Sequence, residues 1–175
     1  GAERRSMIMS DEDKKLTAYH EAGHAIVGIY SEGSDPIHKA TIMPRGRALG
    51  MVMRLPTEDQ LSKTRQELEA ELAVCAGGRI AEELIFGKTH VTTGASSDIE
   101  QATKIARKMI IEWGMSDKLG FLSYSSPDAD GESFLGRRMS RNEALSNDVK
   151  LLIDEEIKKL VDTAYKKATK ILKDH

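Results

Sequence analysis

The 175-residue chain contains a single cysteine, Cys75, which excludes an internal disulfide. Its surroundings, LAVCAGG, look like a buried helix, so we expect an inert core thiol and a reducing compartment. No apolar run approaches the roughly 18 residues that span a bilayer. The first residues, GAERRSMIMS, lack the apolar core of a signal peptide. These absences predict a chain that is soluble as written.

The chain also lacks a strong charge of either sign, since 26 Lys and Arg oppose 28 Asp and Glu for a net charge of -2. This balance gives no overall bias toward nucleic acid or an anionic membrane, and we expect no nucleic-acid partner. No internal repeat or low-complexity tract is visible. With 39% hydrophobic residues the chain can bury a real core, so we expect one domain, residues 10–175, after a linker, residues 1–9.

Helical spacing dominates the rest of the sequence. Ser10 with Asp13 three places on resembles a capping box. An apolar stripe with spacings of three and four follows, formed by Leu16, Tyr19, Gly23, Ile26, Val27 and Tyr30. This pattern predicts a first helix that stops near Gly33. Three further helices are predicted, from Thr57 to Gly87, from Ser97 to Trp113, and from Ser146 along an apolar stripe that ends at Leu172.

Two segments are predicted to be non-helical. The runs HKATIMP and ALGMVMRLP flank the turn-like PRGR and predict a hairpin from about Ile37 to Leu55. The segment FLSYSSPDADGESFLG is rich in Gly, Pro, Ser and Asp and predicts an exposed loop. We therefore expect a mainly helical fold with a small sheet.

The second predicted helix has two adjacent glycines, Gly77 and Gly78, in its interior. Each is less favourable there than alanine by about 1 kcal/mol. Either another element packs directly against that backbone, or the helix is kinked locally.

His20, Glu21 and His24 form the pattern H-E-x-x-H in the run TAYHEAGHAIV. Residues four apart share a helix face, so the two imidazoles can bind one metal ion. Catalytic zinc takes three protein ligands and a water whose pKa falls to about 7, and Glu21 can reach that water as a general base. The alternative is a set of buried polar residues with other partners.

A third protein ligand must come from elsewhere, because Val27 and Tyr30 stand where the longer metzincin motif has Gly and His. Asp98 is one candidate, although an acid in the first turn of a helix also complements the helix dipole without a metal. The residue types leave five candidates open: His38, Glu82, Glu83, His90 and Asp98.

Four segments in order, TAYHEAGHAIV, TIMPRGRALGMVM, AGGRIAEELIFG and TTGASSDIEQATKIARKMI, resemble the peptidase domain of FtsH-type ATP-dependent zinc proteases. The match runs from about Arg4 to Trp113 and continues more loosely into the last helix. The resemblance implies a zinc ion bound by the two histidines and an aspartate of TTGASSD, which corresponds to Asp98. It also implies that Glu82 and Glu83 are structural.

The resemblance carries further expectations about the parent protein. It implies a mainly helical domain with a small sheet beside the H-E-x-x-H helix, a homo-hexameric ring, and an AAA ATPase module in the same parent chain. It further implies a membrane anchor in the missing N-terminal part, in a bacterial inner membrane with this domain in the cytoplasm, or in an organellar inner membrane. Because no G-x-x-x-x-G-K-[ST] motif occurs here, we expect no ATPase activity in this chain.

Three classes of function remain open. The first is a zinc endopeptidase that degrades unfolded, damaged and regulatory proteins, with Glu21 as general base. The second is a non-catalytic helical assembly module with a structural metal, which has no use for Glu21. The third is a zinc hydrolase with a non-peptide substrate. In an endopeptidase, the hairpin edge near 49–54 could bind substrate by strand addition, or it could be a plain structural edge.

Overall fold

The computed structural model describes residues 9–34, 37–41, 51–54, 62–124 and 146–175. These residues form a mainly helical fold with one small sheet, which confirms the predicted fold class. The predicted linker up to residue 8, the PRGR turn and all but the first four residues of the predicted loop 121–136 lie outside the described residues. The elements are α1 (Asp11–Tyr30), β1 (Ile37–Thr41), β2 (Met51–Arg54), α2 (Arg65–Phe86), α3 (Ser96–Ile111) and α4 (Asn147–Asp174).

Side-chain caps set the starts of the first two helices. The hydroxyl of Ser10 accepts a hydrogen bond from the backbone N–H of Asp13 at 3.1 Å, so α1 begins as predicted. The hydroxyl of Thr64 accepts from the N–H of Glu67 at 3.1 Å and caps α2. The predicted start of α2 at Thr57 is therefore wrong, because residues 62–64 are not helical. The other end is confirmed, since α2 terminates at Gly87 with φ 88°.

The buried face of α1 differs from the apolar stripe expected from the sequence. Tyr19 and Tyr30, both assigned to that stripe, are exposed. The residues that α1 buries recur at three and four but are mostly polar or glycine: Thr17, His20, Glu21, Gly23, His24, Val27 and Gly28. The helix therefore turns its H-E-x-x-H face inward.

The helices α1 and α2 touch through their backbones at Gly23 and Gly77. A Cβ atom added to Gly23 would lie 2.2 Å from the main-chain oxygen of Gly77, and one added to Gly77 would lie 2.6 Å from the oxygen of Gly23. Helix α2 continues through Gly77 and Gly78 without interruption. Direct packing therefore explains the first glycine of the pair.

The two strands form an antiparallel sheet that lies alongside α1. Ile37 pairs with Arg54 and Thr41 with Met51, and an irregularity lies between Ile37 and Lys39. The predicted hairpin beside the H-E-x-x-H helix is thus confirmed for its strands. Whether its edge binds substrate stays a prediction.

The chain divides into two compact units, residues 1–102 with 164–175, and residues 103–163. In the first unit, the hydroxyl of Tyr165 on α4 donates to Glu83 on α2 at 2.6 Å. In the second, Ile110, Leu119 and Ile153 form a buried cluster. The hydroxyl of Ser116 donates to the buried carboxylate of Glu156 at 2.6 Å. The assignment of 10–175 to one domain stays a prediction.

Two further sequence expectations concern burial. Cys75 is only partly buried, so the expectation of a core thiol is wrong. Ile153, Ala164 and Ala168 of the predicted stripe on α4 are buried.

In the parts of the chain that the structure describes, no helix combines the length and the apolar character needed to cross a membrane.

Candidate metal centre

Three donor atoms converge where α1 meets the start of α3. The Nε2 atoms of His20 and His24 are 3.1 Å apart. The Oδ2 atom of Asp98 lies 3.1 Å from the first of these nitrogens and 3.2 Å from the second. Among the candidates whose side chains the structure describes, Asp98 is thus the residue that faces both Nε2 atoms.

The triangle of donor atoms has the size that a tetrahedral metal ion requires. Zinc bonds to nitrogen and oxygen are about 2.0–2.1 Å long, which places neighbouring ligand atoms about 3.3 Å apart in a tetrahedron. The observed separations of 3.1–3.2 Å match this edge. Three protein donors also leave the fourth position for water or substrate, as in catalytic zinc sites.

Hydrogen bonds at the opposite side of each imidazole fix the tautomer. Nδ1 of His24 lies 2.6 Å from the carbonyl oxygen of Val74, and a carbonyl only accepts, so Nδ1 carries the proton. Nδ1 of His20 likewise donates to Oε2 of Glu82 at 2.6 Å. In the neutral rings both Nε2 lone pairs are therefore directed at the gap facing Asp98, which is the arrangement that metal-binding histidines use.

Glu82 is completely buried and holds His20 from behind. Its second oxygen, Oε1, accepts hydrogen bonds from the N–H and the hydroxyl of Thr92 at 2.9 and 2.8 Å. Both carboxylate oxygens therefore have protein partners, and neither reaches the Nε2 side of the ring. This arrangement agrees with the structural role that the family resemblance implies for Glu82.

Two of the remaining candidates for a third ligand have other contacts. Glu83 accepts the hydrogen bond from Tyr165. His90 is exposed, and its Nδ1 lies 3.1 Å from the hydroxyl of Thr89. His38 lies in β1, but its side chain is outside the described part of the chain.

The loop that brings Asp98 to the histidines is organised around Thr92, which the sequence reasoning missed. The Thr92 hydroxyl accepts from the N–H of Gly94 at 3.1 Å, and its carbonyl accepts from the guanidinium of Arg79 at 3.0 Å. Together with the two bonds to Glu82, these contacts join the loop to α2. The sequence does contain a signal for this role, because Thr, Ser and Asn are preferred as caps at helix starts. Thr92 caps the short 3₁₀ turn Thr93–Ala95 before α3.

Glu21 is buried beside the two histidines, and the three residues form a cluster able to hold a metal ion. Its Oε2 atom has no hydrogen-bond partner among the residues that the structure describes. Burial raises the pKa of Glu21, positive charge on His24 and His20 lowers it, and the charge of Asp98 raises it, so that the net direction is upward. A buried carboxylate with an open oxygen and a raised pKa is suited to accept a proton.

The pKa shifts of Asp98 and His20 favour a cation at the candidate metal centre. Burial by itself raises the pKa of Asp98, but hydrogen bonds with His20 and His24, and their charges, outweigh it and lower the pKa to about 2. Burial lowers the pKa of His20, but hydrogen bonds to Asp98 and Glu82, and their charges, raise it above the usual 6.5. Without a metal, the site therefore attracts a proton onto His20.

Comparison with known proteins places these residues in a family. Residues 7–175 match peptidase family M41. The chain is 57% identical over 175 residues to an ATP-dependent zinc metalloprotease FtsH of Rickettsia bellii (strain RML369-C), covering 100% of this chain and 27% of the relative. It is 53% identical over 174 residues to the protein of the same name from Caulobacter vibrioides, covering 99% and 28%.

A third relative of that name, from Photobacterium profundum, is 52% identical over 172 residues, covering 98% of this chain and 24% of the relative. The chain therefore spans about a quarter of the length of the curated relatives it matches.

Proposed function

Because the chain belongs to peptidase family M41, we propose that it is a zinc-dependent endopeptidase domain in which His20, His24 and Asp98 bind one zinc ion and Glu21 is the general base. The observation that carries this proposal is the triangle of donor atoms 3.1–3.2 Å apart. The orphaned Oε2 of Glu21 beside that triangle supports a catalytic rather than a structural site.

The donor set fits zinc, since two imidazoles and a carboxylate are its usual ligands in hydrolases. When bound, zinc supplies Lewis-acid chemistry: it polarises the scissile carbonyl and lowers the pKa of water. The chain contributes rigidity. Glu82 and the Val74 carbonyl hold the rings of His20 and His24, so that neither ring has to reorient when substrate arrives.

Glu21 carries the proton transfers. Its carboxylate takes a proton from the water that attacks the peptide carbonyl, and the resulting carboxylic acid gives the proton to the nitrogen of the leaving amine. Burial, the largest influence on this group, raises the pKa of Glu21 and so helps the carboxyl to hold the proton between the two steps. An open Oε2 leaves the receiving atom free of competing hydrogen bonds.

The two alternative classes receive less support. A structural site closes all four zinc positions with protein ligands and does not need an acid beside them. The buried, unpaired oxygen of Glu21 has no role in such an assembly module. A non-peptide substrate would use the same zinc chemistry, but the family match favours a peptide bond.

The proposal extends to the longer protein in which this domain acts. The relatives are named as ATP-dependent proteases, and this chain corresponds to about a quarter of each. We propose that the domain acts within a longer protein whose ATPase module delivers unfolded polypeptides in a homo-hexameric ring. The earlier resemblance supports a membrane anchor in that longer protein, in a bacterial inner membrane with this domain in the cytoplasm, or in an organellar inner membrane.

One experiment tests the activity directly. The purified chain is incubated with unfolded casein as isolated, with a chelator, and after chelator removal and addition of zinc. Cleavage that the chelator stops and zinc restores is expected. A chain that binds zinc but hydrolyses a small ester and leaves casein intact would support the non-peptide hydrolase. Zinc binding that only changes assembly or stability, without hydrolysis of either substrate, would support the assembly module.

A further inference from the structure

The two adjacent glycines of α2 have different neighbours. Gly77 faces the backbone of α1, as described above, whereas Gly78 faces the imidazoles. A Cβ atom added to Gly78 would lie 2.4 Å from Nε2 and 2.5 Å from Cε1 of His20, and 2.6 Å from Nε2 of His24. All three distances are far below van der Waals contact, so an alanine at this position requires the rings to move.

The rings have little freedom to move away. His20 is held by Glu82 and His24 by the Val74 carbonyl, each through a buried hydrogen bond of 2.6 Å. The rings also pack edge to face, with centroids 4.8 Å apart and planes at 77°. Displacing either ring from Gly78 therefore breaks a hydrogen bond on its far side or disturbs the other ring.

Glycine is disfavoured relative to alanine in a helix interior, so a glycine at position 78 needs a reason. Gly77 has one in the close approach of α1 and α2, where the clash of a Cβ would be with backbone atoms that no side-chain rotation can relieve. Packing of the two helices does not explain Gly78, because the atoms its Cβ would meet belong to histidine side chains.

We propose that Gly78 is a positioning residue of the metal site: its missing side chain leaves the space in which the two imidazoles lie side by side with both Nε2 atoms toward Asp98. The inference rests on the proposed zinc function, since it concerns the ligand geometry. The two glycines thus divide their roles, with Gly77 serving helix packing and Gly78 serving the arrangement of the ligands.

The first test measures zinc binding by competition with a chromophoric chelator, in the full chain and in Gly78→Ala, with circular dichroism as a check of the fold. We expect a folded variant that binds zinc about 10–100-fold more weakly. Cobalt substitution gives a second readout, because the visible bands of the bound cobalt report ligand geometry and should change. A folded variant with unchanged zinc affinity and unchanged cobalt bands would overturn the proposal.

The second test needs no metal and isolates the clash with the rings. In the metal-free chain, Gly78→Ala is expected to lower Tm by roughly 3–10 °C. The same change is made in the background His20→Ala/His24→Ala/Glu82→Gln, where Glu82→Gln avoids stranding a buried charge. There it should leave Tm unchanged or raise it, because alanine is the better helix former. An equal loss of Tm in both backgrounds would overturn the proposal. If Gly78→Ala alone fails to fold, we expect it to fold in the triple-variant background, and failure to fold there as well would overturn the proposal.

Gly77→Ala is the matched control for this cycle. Its clash is with the backbone of Gly23, so removal of the imidazoles should not rescue its Tm. Rescue of both glycine variants alike would contradict the division of roles. Failure of the unmodified chain to bind zinc would refute the proposed function instead, and the metal-free cycle would still decide whether Gly78 makes room for the rings.

Discussion

Nδ1 of His24 donates to the main-chain carbonyl of Val74 at 2.6 Å, whereas Nδ1 of His20 donates to the side chain of Glu82 at the same distance. The first partner is present whatever residue occupies position 74, but the second can be removed by substitution. The hydrogen bond that holds His20 therefore depends on one carboxylate, whereas the bond that holds His24 depends on the register of α1 against α2.

Glu82→Gln should weaken zinc binding about 10–100-fold without abolishing it. The amide oxygen can accept from either His20 or Thr92, but the amide nitrogen can only donate, so one of the present partners loses its acceptor. Chelator competition measures the effect. Glu83→Gln is the matched control, since it alters the contact with Tyr165 and should leave the zinc affinity unchanged. Equal effects of the two variants would argue against an orienting role for Glu82.

Asp98→Ala should weaken zinc binding by more than the roughly 100-fold expected for a residue that only orients a ligand. Two donors would remain where catalytic zinc has three. Metal analysis after dialysis, together with casein cleavage, measures the result. Glu100→Ala, which removes an exposed acid from the same end of α3, controls for the helix dipole. If Asp98→Ala retained zinc, the role left for Asp98 would be its favourable interaction with the dipole of α3.

Glu21→Gln should retain zinc and fold while hydrolysis falls about 10²–10⁴-fold. The amide has nearly the same size but cannot accept the proton from water. The variant should also be no less stable than the parent chain, because it no longer buries a charge whose Oε2 lacks a partner. Zinc content checks the retention of metal, Tm checks the stability, and the rate of casein cleavage checks the loss of hydrolysis. Turnover within tenfold of the parent would remove Glu21 from the mechanism.

Thr92→Val should weaken zinc binding about tenfold, and Thr92→Ser should restore it. Valine keeps the shape of threonine but removes the hydroxyl that donates to Glu82 at 2.8 Å and accepts from the N–H of Gly94 at 3.1 Å. Serine keeps both bonds. The measurement is again chelator competition, with Thr93→Val as the neighbouring control. Zinc affinity in Thr92→Val equal to that of the parent chain would show that the hydroxyl of Thr92 does not support the site.

Local patterns in the sequence were sufficient for much of this site. The Ser10 cap and the i,i+4 histidine pair depend on neighbours within one helical turn, so α1 and its two imidazoles were predictable. The start of α2 was also encoded locally, by Thr64 and Glu67, although the predicted start was at Thr57. The buried face of α1 was misjudged because periodicity was counted over apolar residues, whereas this helix buries polar ones.

The rest of the site depends on contacts between residues far apart in the sequence, which a local pattern does not reveal. Glu82 meets His20 across 62 positions, and Asp98 meets it across 78. Both contacts require the close approach of α1 to α2 at Gly23 and Gly77, which the sequence showed only as an unexplained pair of glycines. Composition and spacing therefore left the third ligand open, and the family resemblance selected Asp98 among the five candidates.

Proton and zinc should compete for His20, which gives opposite pH trends with and without metal. In the metal-free chain the pKa of His20 is raised above 6.5, so its contribution to stability is present below pH 6.5 and is lost as pH rises through the folded-state pKa. Asp98, with a pKa of about 2 against 3.8, adds stability above pH 3.8 that is lost toward pH 2. The contributions of these two residues therefore overlap fully between about pH 4 and 6.5.

Zinc requires His20 without its second proton, so the gain in Tm on adding zinc should increase as pH rises from about 5.5 to 8. Thermal melts of the metal-free and zinc-loaded chain across this range check the prediction. His20→Gln is the control, because it removes the titrating ring and should flatten the dependence of the metal-free Tm on pH above 6.5. A zinc-induced gain in Tm that stays constant across the range would contradict direct competition between the proton and the metal, and with it the assignment of His20 as a ligand.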